Sequence, residues 1–206
     1  MTSASDSAVA NTAADAIVAT LVANGVEVVF ALPGEENLPI VSALRRAELP
    51  IVVCRHEQHA GFMAVTNARL TGTPAVCLAT LGPGALNLVP ALAQAQLMGV
   101  PVLALTGQKK LTGNDEGSFQ VLDIVGSARP LVTSAVTLAD PDLAAVTVAD
   151  GLSRAATPPR GAVVVEIPED VAATPVADGA PVVVLSLIHI SEPTRLGMLS
   201  RMPSSA

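Results

Sequence analysis

A glutamate stands where an apolar strand gives way to an apolar helix, in the stretch "VVCRHEQHAGFMA" at 52–64. Glu57 has His56 before it and His59 two places on, so metal ligation, helix-end charge and proton transfer all present themselves. The helical zinc motif needs histidines at i,i+4; these lie at i,i+3, which disfavours zinc. A carboxylate in a first helical turn meets the positive end of the macrodipole, and that alone accounts for many such residues. The strand before Glu57 and the Ala, Gly, Phe and Met after it imply a partly desolvated carboxyl, the setting in which acids become proton-transfer groups.

Other segments offer polar or glycine-rich turns: "ALPGEEN" (31–37), "CRHEQ" (54–58), "TLGPGALN" (80–87) and the long "TGQKKLTGNDEGSFQ" (106–120). "GPGALN" puts Asn87 where a dinucleotide fingerprint needs its third glycine, and no GxxxxGK[ST] occurs, so nucleotide-phosphate loops are set aside. Long ordered loops more often carry function than short ones, which draws attention to 106–120.

The segments between these turns must position them. "EVVFAL", "IVVC", "PAVCLAT", "PVLALTG", "LVTSAV" and "GAVVVEI" read as six strands. They alternate with the helical patterns "TAADAIVATLVANG", "ENLPIVSALRRA", "EQHAGFMAVTNARLTG", "ALNLVPALAQAQLMG" and "PDLAAVTVADGLSRAA". Continuously apolar strands joined by helices imply a mostly parallel sheet covered on both faces, a doubly wound α/β fold. Ligands on such a sheet bind beyond the carboxyl ends of the strands, where the polar turns fall. The i,i+4 series Ala60, Ala64, Ala68 predicts a helix lying close to the sheet. Pro90, inside an otherwise helical pattern, predicts a kink, because an interior proline costs about 3 kcal/mol.

Half of the 206 residues are hydrophobic but only three are aromatic, so the core must be Ala, Val and Leu packed closely. Eighteen acidic against eleven basic residues give a net charge of −7 with no basic run beyond Arg45-Arg46 and Lys109-Lys110, which argues against a nucleic-acid partner. Pro90, Gln94, Gln96 and Pro101 interrupt the most apolar stretch, 88–106, so no membrane span is expected. Cys54 and Cys77 sit in strand-like runs without metal or redox spacing and read as reduced core thiols, in keeping with a cytoplasmic location.

Four stretches are expected along the chain: a disordered start (1–11), one doubly wound α/β domain (12–175), the beginning of a linker (176–184) and a tail (185–206). The tail lacks valine and has one alanine, and its "SLIHISEPTR" resembles translated adapter sequence, so it is expected to be non-native.

The blocks "VVFALPGEENLPIVSAL", "RHEQHAGFMA", "CLATLGPGALNLV", "VPVLALTGQK", "SFQVLDIVGSARP" and "GAVVVEIPEDV" occur in the order and spacing of the pyrimidine-binding domain of thiamine diphosphate enzymes. The chain most resembles acetolactate synthase large subunits, over about residues 14–171. The resemblance implies that Glu57 hydrogen-bonds N1′ of the aminopyrimidine, favouring the imino tautomer whose N4′ deprotonates the thiazolium C2. It implies cofactor contacts at Pro33, Gly34, Thr80, Pro83, Asn87 and Gln120, and a substrate pocket walled by Phe119 with Gln108 and Lys109 at its entrance. His56 and His59 are expected to be structural.

The resemblance also implies a homodimer or homotetramer condensing 2-oxo acids such as pyruvate, with no metal ligand in this chain. Mg²⁺, and in many members FAD, would be held by domains that these 206 residues do not contain, since no Gly-Asp-Gly motif occurs. On that footing the chain alone is expected to be inactive. Leu32 replaces the family's usual aromatic, "GEEN" its Gly-Gly turn, and Lys109-Lys110 its Val and Arg. These departures leave open a decarboxylase acting on an aryl or sulfonated 2-oxo acid, or a half-site completed by a separate chain.

Overall fold

In the computed structural model, residues 11–112, 118–176 and 184 are described. The expectations for the start of the chain, for 177–183 and for the tail from 185 fall outside the described residues.

Six strands, β1 (Val29–Ala31), β2 (Ile51–Val53), β3 (Ala75–Ala79), β4 (Val102–Gln108), β5 (Ser134–Thr137) and β6 (Ala162–Pro168), form one sheet. Its order is β2-β1-β3-β4-β6-β5 and every pairing is parallel, as the apolar strands and helical crossovers predict. β3, β4 and β6 are buried along their whole length, whereas Val53 at the β2 edge is 64% exposed.

The helices are α1 (Ala13–Ala23), α2 (Leu38–Arg46), α3 (Glu57–Thr71), α4 (Gly82–Leu86), α5 (Val89–Met98), α6 (Ile124–Ala128), α7 (Ala144–Ala156) and α8 (Glu169–Ala173). Successive strand side chains point to opposite faces and so feed two different cores. On one face Leu103, Leu105, Val163 and Val165 pack with Ile17, Leu21, Ile40, Leu44, Val148 and Leu152 of α1, α2 and α7. On the other, Val102, Ala104, Cys77 and Ala79 pack with Ala60, Ala64, Ala68, Leu92 and Ala95 of α3 and α5. The second core is built from smaller residues, so α3 approaches closely: a Cβ on Gly61 would stand 2.6 Å from that of Ala91.

The predicted kink at Pro90 is corrected to a break. The chain leaves α4 at Asn87 and Leu88 and restarts as α5, with Pro90 in the first turn, where its missing N–H has no intrahelical partner to lose. The short helices α6 and α8 carry too few periodic residues to be read from sequence.

The strand order reverses at β1 and β3. From β1 the chain runs through α2 on one face to β2, then through α3 on the other face to β3. The two crossovers part above the carboxyl ends of β1 and β3, the place where open α/β sheets form their ligand crevice.

Candidate functional site

Glu57 lies in that crevice. β2 ends at Val53, and His56 caps α3 by accepting the Gln58 N–H on Nδ1 at 3.1 Å. With its lone pair so used, His56 Nδ1 has no proton to give Glu57 Oε2, 3.9 Å away. Because α3 lies tight on the small-residue core, its first side chain points inward, and Glu57 is buried at 7% exposure, as its apolar neighbours predict.

The break between α4 and α5 serves the same residue. Asn87 Nδ2 donates to Glu57 Oε2 at 2.9 Å. Glu57 Oε1 takes no hydrogen bond from the described residues and faces Gly84, where a Cβ would come within 3.0 Å of it. The same Cβ would meet Thr80 Cγ2 at 2.8 Å. Gly84 therefore forms the floor of a cradle between a carboxylate oxygen and a methyl group.

Thr80 is fixed from its other side as well. A Cβ on Gly34 would stand 2.7 Å from Thr80 Cβ, so the "LPG" turn and the β3 exit meet backbone to side chain. Asn37 braces this turn, accepting the Gly34 N–H at 3.0 Å and donating to the Leu32 carbonyl at 3.3 Å. Thr80 Oγ1 donates to Glu36 Oε2 at 2.6 Å, and Lys109 Nζ pairs with Glu36 Oε1, also at 2.6 Å. Desolvation pushes the Glu36 carboxyl upward, but the bonds from Lys109 and Thr80 outweigh it and hold the group below its ordinary value. The bond to Glu36 correspondingly raises Lys109. Two departures from the family pattern, the "GEEN" turn and Lys109, thus bind each other.

Gln108 is buried at the end of β4, where its Nε2 donates to Glu166 Oε2 at 2.9 Å and to the Leu122 carbonyl at 3.3 Å. Glu166 Oε1 accepts from Thr137 at 2.9 Å. Burial raises the Glu166 carboxyl, and the Thr137 and Gln108 bonds only partly offset it. Gln120 reaches the crevice through its backbone: it has φ of 61°, and a Cβ on Gly82, itself at φ 51°, would lie 2.0 Å from the Gln120 carbonyl oxygen. The Gln120 side chain is exposed, Phe119 is 80% exposed, and Pro33 and Pro83 are exposed at the rim.

The structure therefore brings Glu57, Asn87, Thr80 and Gly34 together, sets Lys109 beside them through Glu36, and turns Gln108 toward Glu166. Sequence reasoning missed Glu36, Asn37 and Glu166. One signal existed for Glu36: Gly107 interrupts the apolar β4, and a Cβ there would meet Glu36 Cβ at 3.0 Å. Among the described residues no group of three or more His, Cys, Asp or Glu could hold a metal ion, and no helix is long and apolar enough to cross a membrane.

Comparison with known proteins matches residues 11–127 to the family described as thiamine pyrophosphate enzyme, N-terminal TPP binding domain. The chain is 40% identical over 164 residues to an acetolactate synthase of Arthrospira platensis, covering 78% of this chain and 28% of that protein. It is 37% identical over 194 residues to the chloroplastic acetolactate synthase 3 of Brassica napus, 92% of this chain and 28% of that protein. Against the large subunit of acetolactate synthase isozyme 2 of Escherichia coli it is 36% identical over 155 residues, 75% of this chain and 28% of that one. The chain thus spans less than a third of the length of these curated relatives.

Proposed function

Because the chain belongs to the thiamine pyrophosphate enzymes through their N-terminal TPP binding domain, we propose that residues 12–175 form the pyrimidine-binding half of an acetolactate synthase-like active site. The reaction is the condensation of two 2-oxo acids with loss of CO₂, with pyruvate as donor. The observation that carries this reading is the buried Glu57 with Oε2 held by Asn87 and Oε1 open above Gly84.

The cradle fits an aminopyrimidine edge. Gly84 and Gly34 let backbone approach, and a Cβ at either would strike Thr80. When bound, thiamine diphosphate supplies the carbanion-stabilising thiazolium. Glu57 would hold or move a proton at Oε1 for the aminopyrimidine, while Asn87 fixes the carboxyl plane through Oε2. Pro33, Thr80, Pro83 and Gln120 border the cofactor; Phe119, Gln108 and Lys109 belong to the substrate side. Burial of Glu57 keeps water from competing for the proton. Mg²⁺ and FAD belong with the remaining length of the relatives, and the working protein is a homodimer or homotetramer. The two buried free thiols, Cys54 and Cys77, suit the cytoplasm.

A chimera in which residues 11–176 replace the matching stretch of one of the acetolactate synthase relatives tests the reading. It should form acetolactate from pyruvate, and Glu57→Gln, which still hydrogen-bonds but relays no proton, should lower the rate by about 100-fold or more. A folded chimera that releases only acetaldehyde, or in which Glu57→Gln is fully active, contradicts it.

A further inference from the structure

We propose that Glu36 is a positioning residue that keeps the Thr80 hydroxyl turned away from Glu57, so that Glu57 Oε1 stays open for the ring; this rests on the cofactor reading above. Thr80 has one hydroxyl proton, and at 2.6 Å that proton goes to Glu36 Oε2. Its χ1 is thereby set: the oxygen faces Glu36, and the methyl faces the cradle above Gly84, across from Glu57 Oε1. Gly34 packs against the Thr80 Cβ, Oγ1 and Cγ2, so the side chain has room only for discrete rotamers.

Glu36 is well suited to hold this arrangement. It is 6% exposed, its backbone rests on Gly107 of β4, and its second oxygen is engaged by Lys109. A carboxylate accepting two such bonds has no proton to donate, so Thr80 must be the donor in their hydrogen bond. Without it, the partly buried hydroxyl must find another acceptor. A χ1 rotation of about 120° that carries the hydroxyl into the methyl's place, and the methyl into the hydrogen's, aims a donor into the cradle, where Glu57 Oε1 takes it directly or through one water. A donor already on Oε1 blocks that oxygen for the ring nitrogen. The apolar surface opposite Glu57 is lost in the same movement.

The role separates from mere stability because an amide can replace the carboxylate. In Glu36→Gln the side-chain oxygen still accepts from Thr80, whereas Glu36→Ala offers nothing. The experiment uses the 206-residue chain and reads Thr80 χ1 from three-bond couplings of Cγ2 to the backbone nitrogen and carbonyl carbon, the Asn87 side-chain amide shift, and the affinity for thiamine. Thiamine carries the aminopyrimidine without the diphosphate.

Wild type and Glu36→Gln should show one and the same Thr80 rotamer and thiamine affinities within about twofold. Glu36→Ala, still folded by its backbone spectrum, should populate a second rotamer, move the Asn87 amide signal and bind thiamine about tenfold more weakly. An unchanged Thr80 rotamer in Glu36→Ala overturns the proposal, and so does a Glu36→Gln that behaves like Glu36→Ala. If the wild type fails to bind thiamine, the cofactor reading fails instead, while the couplings still decide whether Glu36 sets Thr80.

Discussion

At the β1–β3 end of the sheet a buried glutamate keeps one oxygen open; at the β4–β6 end another has both oxygens occupied. Glu57 and Glu166 differ little in exposure, 7% and 6%. Glu57 takes one bond, from Asn87, while Glu166 takes bonds from both Gln108 and Thr137. Glu57 starts a helix lying on alanines, beside glycines that leave a cradle; Glu166 stands mid-sheet with its neighbours closed around it. Burial is common to the two; they differ in that one oxygen of Glu57 takes no hydrogen bond from the described residues, and the proposed reactive role of Glu57 rests on that difference.

The largest expected effect separates them by function. Glu57→Ala should lower acetolactate formation in the chimera by 100-fold or more yet change unfolding free energy by less than about 1 kcal/mol, because the partly exposed Asn87 can rebind water. A large loss of stability, measured by urea unfolding, would make Glu57 a structural residue like Glu166. Next, Gly84→Ala should fill the cradle, weakening thiamine binding about tenfold and costing about 1–3 kcal/mol through contact with Thr80 and Glu57. Unaltered thiamine binding by calorimetry would move the site away from Gly84.

Glu166→Ala reverses the pattern. It should cost about 1–2 kcal/mol by freeing two donors, with thiamine affinity unchanged. A matched loss of affinity would merge the two regions into one network.

The smallest effect is a pH dependence of opposite sign in Glu166 and Glu36. The folded-state value of Glu166 is raised, so its contribution is fully present below the ordinary glutamate value and is lost as pH rises through the raised one. Glu36 is lowered, so its contribution is present above the ordinary value and is lost as pH falls through the lowered one. Relative to wild type, Glu36→Gln should flatten acid destabilisation, and Glu166→Gln should flatten the loss above the ordinary value; chemical unfolding across pH 3 to 7, a span of about four units, reads both. Equal slopes in the two variants would contradict the assignment.

Much of this was legible in the sequence for physical reasons. A strand buried on both faces must be largely apolar, and β1, β3, β4 and β6 could be read for that reason, while the more exposed β2 and β5 were legible through their β-branched residues. The Ala60, Ala64, Ala68 stripe foretold close packing of α3, but a charged residue at the head of that helix could equally have faced solvent at the positive end of the macrodipole, so only the apolar neighbours of Glu57 pointed to its burial. The residues that hold the site were hidden. Glu36 and Lys109 are 73 positions apart by number and look like ordinary surface charges until the fold joins them. Gln108 belongs to a polar turn in the sequence, but strand pairing carries β4 on to meet Pro168, so its side chain turns inward to Glu166. Pro90 misled because a proline signals a helix start as readily as a kink, and the residues before it do not say which.

The most direct test of the open oxygen is an NMR titration of the 206-residue chain with thiamine, in wild type and Glu57→Ala. Shifts should concentrate at the Gly84 amide and the Asn87 side chain and vanish in the variant. Shifts that persist in Glu57→Ala, or that appear elsewhere while Gly84 and Asn87 stay still, would show that Glu57 Oε1 is not where the ring binds.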